Sequence, residues 1–177
     1  MKVKKFRKMT KLKLIVLDVD GTMTDGSIYY SEDGSEIKKF NVKDAAGILA
    51  AQAVDISCMI LTGRQSEAVT RRGQDLHIKF VAQGVYDKES YLRNFLIEKN
   101  FSPENVVYIG DDLNDVSCMK LVGHAACPFD AAEEVRNLCE YISEQKGGAG
   151  AVRDIIFHYL KEMDLYSEAI GKAYSGI

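Results

Sequence analysis

Leu14-Ile15-Val16-Leu17-Asp18-Val19-Asp20-Gly21-Thr22 is the stretch that decides the fold of this 177-residue chain. Its apolar run, Leu14 to Leu17, ends in two carboxylates one residue apart, followed at once by a glycine. On extended backbone, side chains two positions apart share a face, and strand ends are where α/β sheets place ligands. Two anions brought together need a cation between them or a proton on one. A hard divalent ion such as Mg²⁺, which takes oxygen ligands and commonly one or two carboxylates, meets that demand. The competing reading is a strand-to-loop turn with exposed acids, because Asp and Gly are ordinary turn residues.

From residue 12 onward, apolar runs alternate with helical patterns. This predicts βαβ units and an α/β fold: a three-layer, doubly wound parallel sheet of Rossmann-like type. Strands are expected at 12–18, 56–61, 78–82, 105–109, 124–127 and 140–143, and helices at 43–54, 65–75, 88–99, 113–121, 130–138 and 149–161. Asp44 and Asp130 lie near helix starts, where they suit capping, and Pro103 punctuates the loop before the fourth strand. One segment breaks the alternation: within residues 26–41, two short strands flank Asp33-Gly34, a hairpin-turn signal. Directly after D-x-D-G-T, this hairpin should overhang the acids, yet it is too small for a lid domain. The site mouth is therefore expected to be open unless another subunit covers it.

The chain thus divides into a basic leader (1–11), one domain with no large cap (12–161) and a C-terminal tail (162–177). Lys146-Gly147-Gly148-Ala149-Gly150 reads as a flexible loop before the last helix. Tyr159, Leu160, Leu165, Tyr166 and Ile170 fit either a cap on the core or a contact with a neighbour.

With 46% hydrophobic and 28% charged residues, no fibrous, disordered or membrane class is called for. The longest apolar runs fall well short of the roughly 20 residues that span a bilayer. Lys2, Lys4, Lys5, Arg7, Lys8, Lys11 and Lys13 make the start basic, but no apolar signal segment follows. The net charge of −3 implies no broad basic surface, so neither nucleic acid nor membrane is expected as a partner. Cys58, Cys118, Cys127 and Cys139 form no C-x-x-C pair, and reduced thiols in the cytoplasm are the expectation. His77, His124 and His158 lack zinc-ligand spacing.

Polar residues recur where other buried strands stop: Thr62-Gly63-Arg64, then Lys88 at a helix start, then Asp111-Asp112-Leu113-Asn114-Asp115. All would gather at the carboxyl edge of one sheet. Together these residue types suit phosphoryl transfer, which needs an in-line nucleophile, donors on the equatorial oxygens and a metal. Asp18 can attack phosphorus, splitting one hard step into two, while Asp20 protonates the leaving alkoxide and then deprotonates water. Asp111 would complete the metal site, Thr62 and Gly63 could hold phosphoryl oxygens, and Lys88 would restrain the acids. An EF-hand reading of the fourth segment lacks the required glycine after Asn114 or Asp115.

In order and spacing, DVDGT, LTGR, Lys88 and GDDLND resemble the four motifs of the haloacid dehalogenase-like phosphohydrolases over roughly residues 12–160. The resemblance implies Asp18 as nucleophile, Asp20 as general acid/base, and Mg²⁺ held by Asp18, the Asp20 carbonyl and Asp111, with Asp112 and Asp115 in support. The acid two residues after the nucleophile implies a phosphatase rather than an ion-pumping relative.

DGTMTDG, the hairpin, F-N-V-K-D at 40–44 and K-G-G-A-G-A-V-R-D at 146–154 further resemble a capless group acting on 3-deoxy-D-manno-octulosonate 8-phosphate. That group implies a homotetramer, a phosphorylated sugar-acid substrate and a place in lipopolysaccharide precursor synthesis. Its substrate contacts map onto Asp20, Asn41, Val42, Lys43, Asp44, Ala45, Gly63, Arg64, Arg72, Lys88 and Asn114. The forked guanidinium groups of Arg64 and Arg72 suit carboxylate and phosphate.

The chain departs from this group at Lys43-Asp44-Ala45, often R-D-G there, and at Leu49, where the group has arginine. A sister group acting on nine-carbon ulosonate 9-phosphates has D-x-A-G-I, similar to Asp44-Ala45-Ala46-Gly47-Ile48. That sister group tends to have glutamate at the Arg64 position, which favours the eight-carbon acid. A non-catalytic receiver would carry its acid pair and acceptor on separate strands, and a catalytically dead assembly subunit would have lost some of the acids present here.

Overall fold

The alternating pattern folds as a six-stranded parallel sheet, seen in a computed structural model that describes residues 11–175. The basic leader expected at 1–11 lies almost wholly outside the described residues. The sheet strands are β1 (Leu14–Leu17), β4 (Ser57–Leu61), β5 (Phe80–Ala82), β6 (Val106–Ile109), β7 (His124–Cys127) and β8 (Tyr141–Ile142). Their spatial order is β5-β4-β1-β6-β7-β8. Counting only these six, the chain builds the sheet outward in one direction from β1, then restarts on its other side with β6. The crevice where the order reverses is the usual ligand site of an open α/β sheet, and Asp18 and Asp111 follow the two strands that flank it.

Each strand of the sheet interior is apolar on both faces, as a sheet covered by helices requires. Ile15 and Leu17 pack with Cys58, Ile60, Val107 and Ile109 on one face; Leu14 and Val16 pack with Met59, Leu61, Val106 and Tyr108 on the other. The first face is covered by α1 (Asp44–Ala53), α2 (Glu67–Asp75), α6 (Ala151–Glu162) and α7 (Tyr166–Ala173). The second is covered by α3 (Lys88–Glu98), α4 (Val116–Leu121) and α5 (Glu133–Arg136). All four side chains of β1 are at most 1% exposed, each worth about 1.5–3 kcal/mol of apolar transfer. That burial holds β1 at the sheet centre.

Several expectations need correction. The helix expected at 113–121 opens as a 3₁₀ turn, Leu113–Asp115, before α4. The one expected at 130–138 shrinks to α5, because residues 128–132 turn so that the Ala132 amide can donate to the Asp111 carbonyl at 2.8 Å. Asp44 caps no amide of α1; its side chain instead accepts from the Arg153 amide of α6 at 3.0 Å. The tail is a helix: Leu165, Tyr166 and Ile170 pack on the sheet face beside α1, so they cap the core. Among the described residues no helix is long and apolar enough to cross a membrane.

The hairpin is β2 (Tyr29–Tyr30) paired antiparallel with β3 (Glu36–Ile37), in register Tyr29 to Ile37 and Tyr30 to Glu36. Gly34 takes φ +83° at its turn, a conformation glycine adopts without the Cβ penalty.

Candidate active site

Beyond Leu17 the β1–β6 ladder runs one residue further, the Asp18 amide donating to the Ile109 carbonyl at 2.9 Å. The chain then turns sharply, and the amides of Thr22, Met23 and Thr24 all point at the Val19 carbonyl, at 3.2, 2.9 and 3.0 Å. Buried Val19 and Met23 anchor this loop to the core. It presents Asp18 at 4% exposure to the crevice.

Asp18, Asp111 and Asp115 each offer a carboxylate oxygen within 4.8 Å of the others. Lys88, the first residue of α3, reaches into this cluster with its ammonium 2.7 Å from Asp18 Oδ1 and 2.8 Å from Asp115 Oδ1. Fully ionised, three carboxylates against one ammonium would leave two negative charges, the complement of one divalent cation. Burial pushes the Asp18 carboxyl up to about 7, with the Asp115 charge adding and Lys88 opposing. Burial, then the Asp18 charge, pushes Asp111 up to about 8 against a 2.9 Å bond from the Thr22 hydroxyl. Such crowding is what a hard cation relieves.

Asp115 is fully buried, and its oxygens are already engaged. Oδ1 accepts from Lys88 and, at 2.7 Å, from the Tyr108 hydroxyl; Oδ2 accepts from the amides of Asp111 at 3.0 Å and Asp112 at 3.4 Å. It therefore braces the site, leaving Asp18 and Asp111 as the carboxylates that fit a metal. Asp112 is exposed and caps the 3₁₀ turn through Leu113.

Asp20 turns away from this cluster. Its carboxylate pairs with Lys38, which also sits 2.7 Å from Glu36, and Glu36 in turn pairs with Arg64. This chain of charges crosses from the loop after β1, over the hairpin, to the loop after β4. Lys38 is 3% exposed although it lies on a two-stranded flap. These ion pairs tie the hairpin to the loops after β1 and β4. Hydrogen bonds from Arg64 and Lys38 hold Glu36 below the usual carboxylate range.

Thr62 is buried at the end of β4, its amide bonded to the Ala82 carbonyl at 3.0 Å, and half-buried Gly63 follows it. A third group assembles where the hairpin returns to α1. Arg72 donates to the Asn41 carbonyl at 3.0 Å and lies over Phe40, while the Asn41 side chain donates from Nδ2 to the Gly148 carbonyl at 3.0 Å. Asp44 is buried behind it, and Ala45 is half-buried. Val42, Lys43 and Asn114 are exposed at the surface.

Four contributors escaped sequence reasoning: Glu36, Lys38, Thr22 and Tyr108. Glu36 and Lys38 were readable in principle, since two opposite charges at i and i+2 share one face of a strand. A hydroxyl in the buried run Val106–Ile109 likewise demands a partner. A separate open groove of about 410 Å³, lined by Asp55, Ser57, His77 and Lys79 among others, lies at the opposite edge of the sheet.

Comparison with known proteins places this geometry. The family model described as haloacid dehalogenase-like hydrolase matches residues 70–156. The 3-deoxy-D-manno-octulosonate 8-phosphate phosphatase of Escherichia coli K12 is 37% identical over 166 residues, covering 94% of this chain and 88% of that protein. The Moraxella catarrhalis phosphatase of the same description, solved with magnesium, phosphate and KDO, superposes with a TM-score of 0.87 at 34% identity, over 90% of this chain and 92% of that one. The cobalt-bound Haemophilus influenzae phosphatase gives 0.86 at 32% identity, over 91% and 94%.

Proposed function

Because this chain belongs to the haloacid dehalogenase-like hydrolases, we propose that it is a Mg²⁺-dependent phosphatase that hydrolyses 3-deoxy-D-manno-octulosonate 8-phosphate. The observation that carries this reading is the buried cluster of Asp18, Asp111 and Asp115 with Lys88, two negative charges in excess when fully ionised, at the sheet's switch point. Mg²⁺ would be held by the carboxylates of Asp18 and Asp111 and by the Asp20 carbonyl. Once bound, it neutralises the charge that otherwise keeps a phosphate dianion away from a carboxylate nucleophile.

Lys88 fixes one oxygen of Asp18, and the other attacks phosphorus. The ester P–O bond breaks, and the leaving alkoxide takes its proton from the Asp20 carboxyl. Thr62 and the Gly63 amide receive the phosphoryl oxygens. In the second half, the Asp20 carboxylate takes a proton from water, which attacks phosphorus and expels Asp18. Lys38 positions Asp20 through its ion pair. Arg64, Arg72, Asn114 and residues 41–45 bind the sugar acid. The reading places the enzyme in the cytoplasm, supplying a lipopolysaccharide precursor. A homotetramer fits the exposed Ile28, Tyr29, Tyr30 and Ile37 of the hairpin, since apolar side chains clustered on a flap suit a contact between copies. Light scattering in solution tests that assembly: a monomer at all concentrations rules it out.

Steady-state kinetics on the eight-carbon 8-phosphate and the nine-carbon ulosonate 9-phosphate test the substrate. The expected result is a kcat/KM at least about tenfold higher for the eight-carbon acid, abolished by chelator and restored by Mg²⁺. Preference for the nine-carbon acid would transfer the enzyme to the sister group. For Arg64→Ala, KM for the sugar acid should rise while p-nitrophenyl phosphate hydrolysis changes little.

A further inference from the structure

The glycine segment before α6 is packed against the nucleophile loop. A Cβ on Gly147 would stand 1.8 Å from the Gly21 carbonyl oxygen and 2.9 Å from that of Thr24. A Cβ on Gly21 would stand 2.0 Å from Asp111 Oδ2. The bare backbones of Gly147 and Gly21 and the carboxylate of Asp111 are therefore stacked in three layers with no room between them.

Two hydrogen-bonded routes run beside the stack. The Gly148 amide donates to the Thr22 carbonyl at 3.2 Å, and the Thr22 hydroxyl donates to Asp111 Oδ1 at 2.9 Å. The Gly147 amide donates to Asp130 Oδ1 at 3.0 Å, and two residues on, the Ala132 amide holds the Asp111 carbonyl. Gly148 itself takes φ +64°, with Asp25 N only 2.5 Å from where a Cβ would lie. Gly147 and Gly148 thus press on Gly21 and Thr22, which contact Asp111, and Asp130 in turn holds the Gly147 amide.

We infer that Gly147, with Gly148 and Asp130, is a positioning element for the metal site: it fixes Asp111 from behind, through Gly21 and Thr22, without touching metal or substrate. This inference rests on Asp111 being a metal ligand, as proposed above. Outer groups that orient a ligand are typically worth about ten- to a hundredfold in metal affinity.

The test is Mn²⁺ binding followed by electron paramagnetic resonance, without substrate, on the full chain. Gly147→Ala and Asp130→Ala should each raise the Mn²⁺ dissociation constant by about tenfold or more. Asp130→Asn, which keeps the Oδ1 acceptor and loses the charge, should bind like the parent. Circular dichroism in chelator shows which variants fold; if Gly147→Ala does not, the exposed Asp130 pair decides alone. Parent-like affinity in folded Asp130→Ala, or equal losses in the Ala and Asn variants, overturns the inference. A parent that holds no Mn²⁺ instead overturns the metal-dependent reading of the site. A parent that binds Mn²⁺ but does not turn over the sugar acid removes only the substrate assignment.

Discussion

Replacing Asp115 with asparagine isolates the brace from the reacting groups. Both of its oxygens face donors: Lys88 and Tyr108 on one side, the amides of Asp111 and Asp112 on the other. Whichever way an asparagine amide is turned, its NH₂ meets at least one donor that cannot accept: the Lys88 ammonium on one side or the two backbone amides on the other, the Tyr108 hydroxyl alone being able to turn and accept. The charge effects oppose each other, since Asp115 loses an ammonium at 2.8 Å but relieves two carboxylates within 4.8 Å. Hydrogen bonding therefore decides the sign. One or two buried donors left facing a donor cost about 1–3 kcal/mol each, so Asp115→Asn should destabilise by roughly 2 kcal/mol or more, an appreciable part of a total of about 5–15. Urea unfolding followed by circular dichroism in chelator measures this directly. A loss below about 1 kcal/mol would show that the acceptors of Asp115 are not saturated by these donors.

Lys38→Ala frees the Asp20 carboxyl from its hairpin partner. Turnover of the sugar phosphate, whose alkoxide needs a proton, should fall by at least about tenfold. p-Nitrophenyl phosphate, with a leaving group that needs little protonation, should fall less; equal losses would contradict the positioning role. Asp44 gives a pH test, its carboxyl being pushed from 3.8 up to about 6 chiefly by burial, against the Arg153 amide and the charges of Arg72 and Arg153. A raised folded pKa means that the folded state binds the extra proton, so this group's contribution is full below about 3.8 and is lost as pH rises through about 6. Asp44→Asn cannot ionise and should gain on the parent by about 2–3 kcal/mol as pH rises across that window. A stability difference that stays flat with pH would show that Asp44 is not strained by burial.

The sheet and its acids could be read from the sequence because each is a local signal. Leu14–Leu17 and Val106–Ile109 are continuous apolar runs, and Asp18 and Asp111 come just after them, so strand ends and switch point followed together. What could not be read depends on contacts far apart in the chain. Lys38 looks like one of a solvated lysine pair until the hairpin folds it back onto Asp20, 18 residues earlier. Gly147-Gly148 carries the composition of a linker, and only its packing against Gly21 and Thr24 reveals a wedge. Asp44 has the residue type and place of a cap, yet its partner is on α6, 109 residues away.

On the proposed mechanism Asp18 takes the phosphoryl group covalently. Acid-quenched enzyme, mixed for one turnover with 3-deoxy-D-manno-octulosonate 8-phosphate in Mg²⁺ and digested for mass spectrometry, tests it most directly, with Asp20→Asn used to slow hydrolysis of the adduct. The expected result is a phosphoryl group on the peptide carrying Asp18, absent in Asp18→Asn, which should also lose turnover while keeping its fold. Turnover that persists in Asp18→Asn, or an adduct on another residue, would contradict the account.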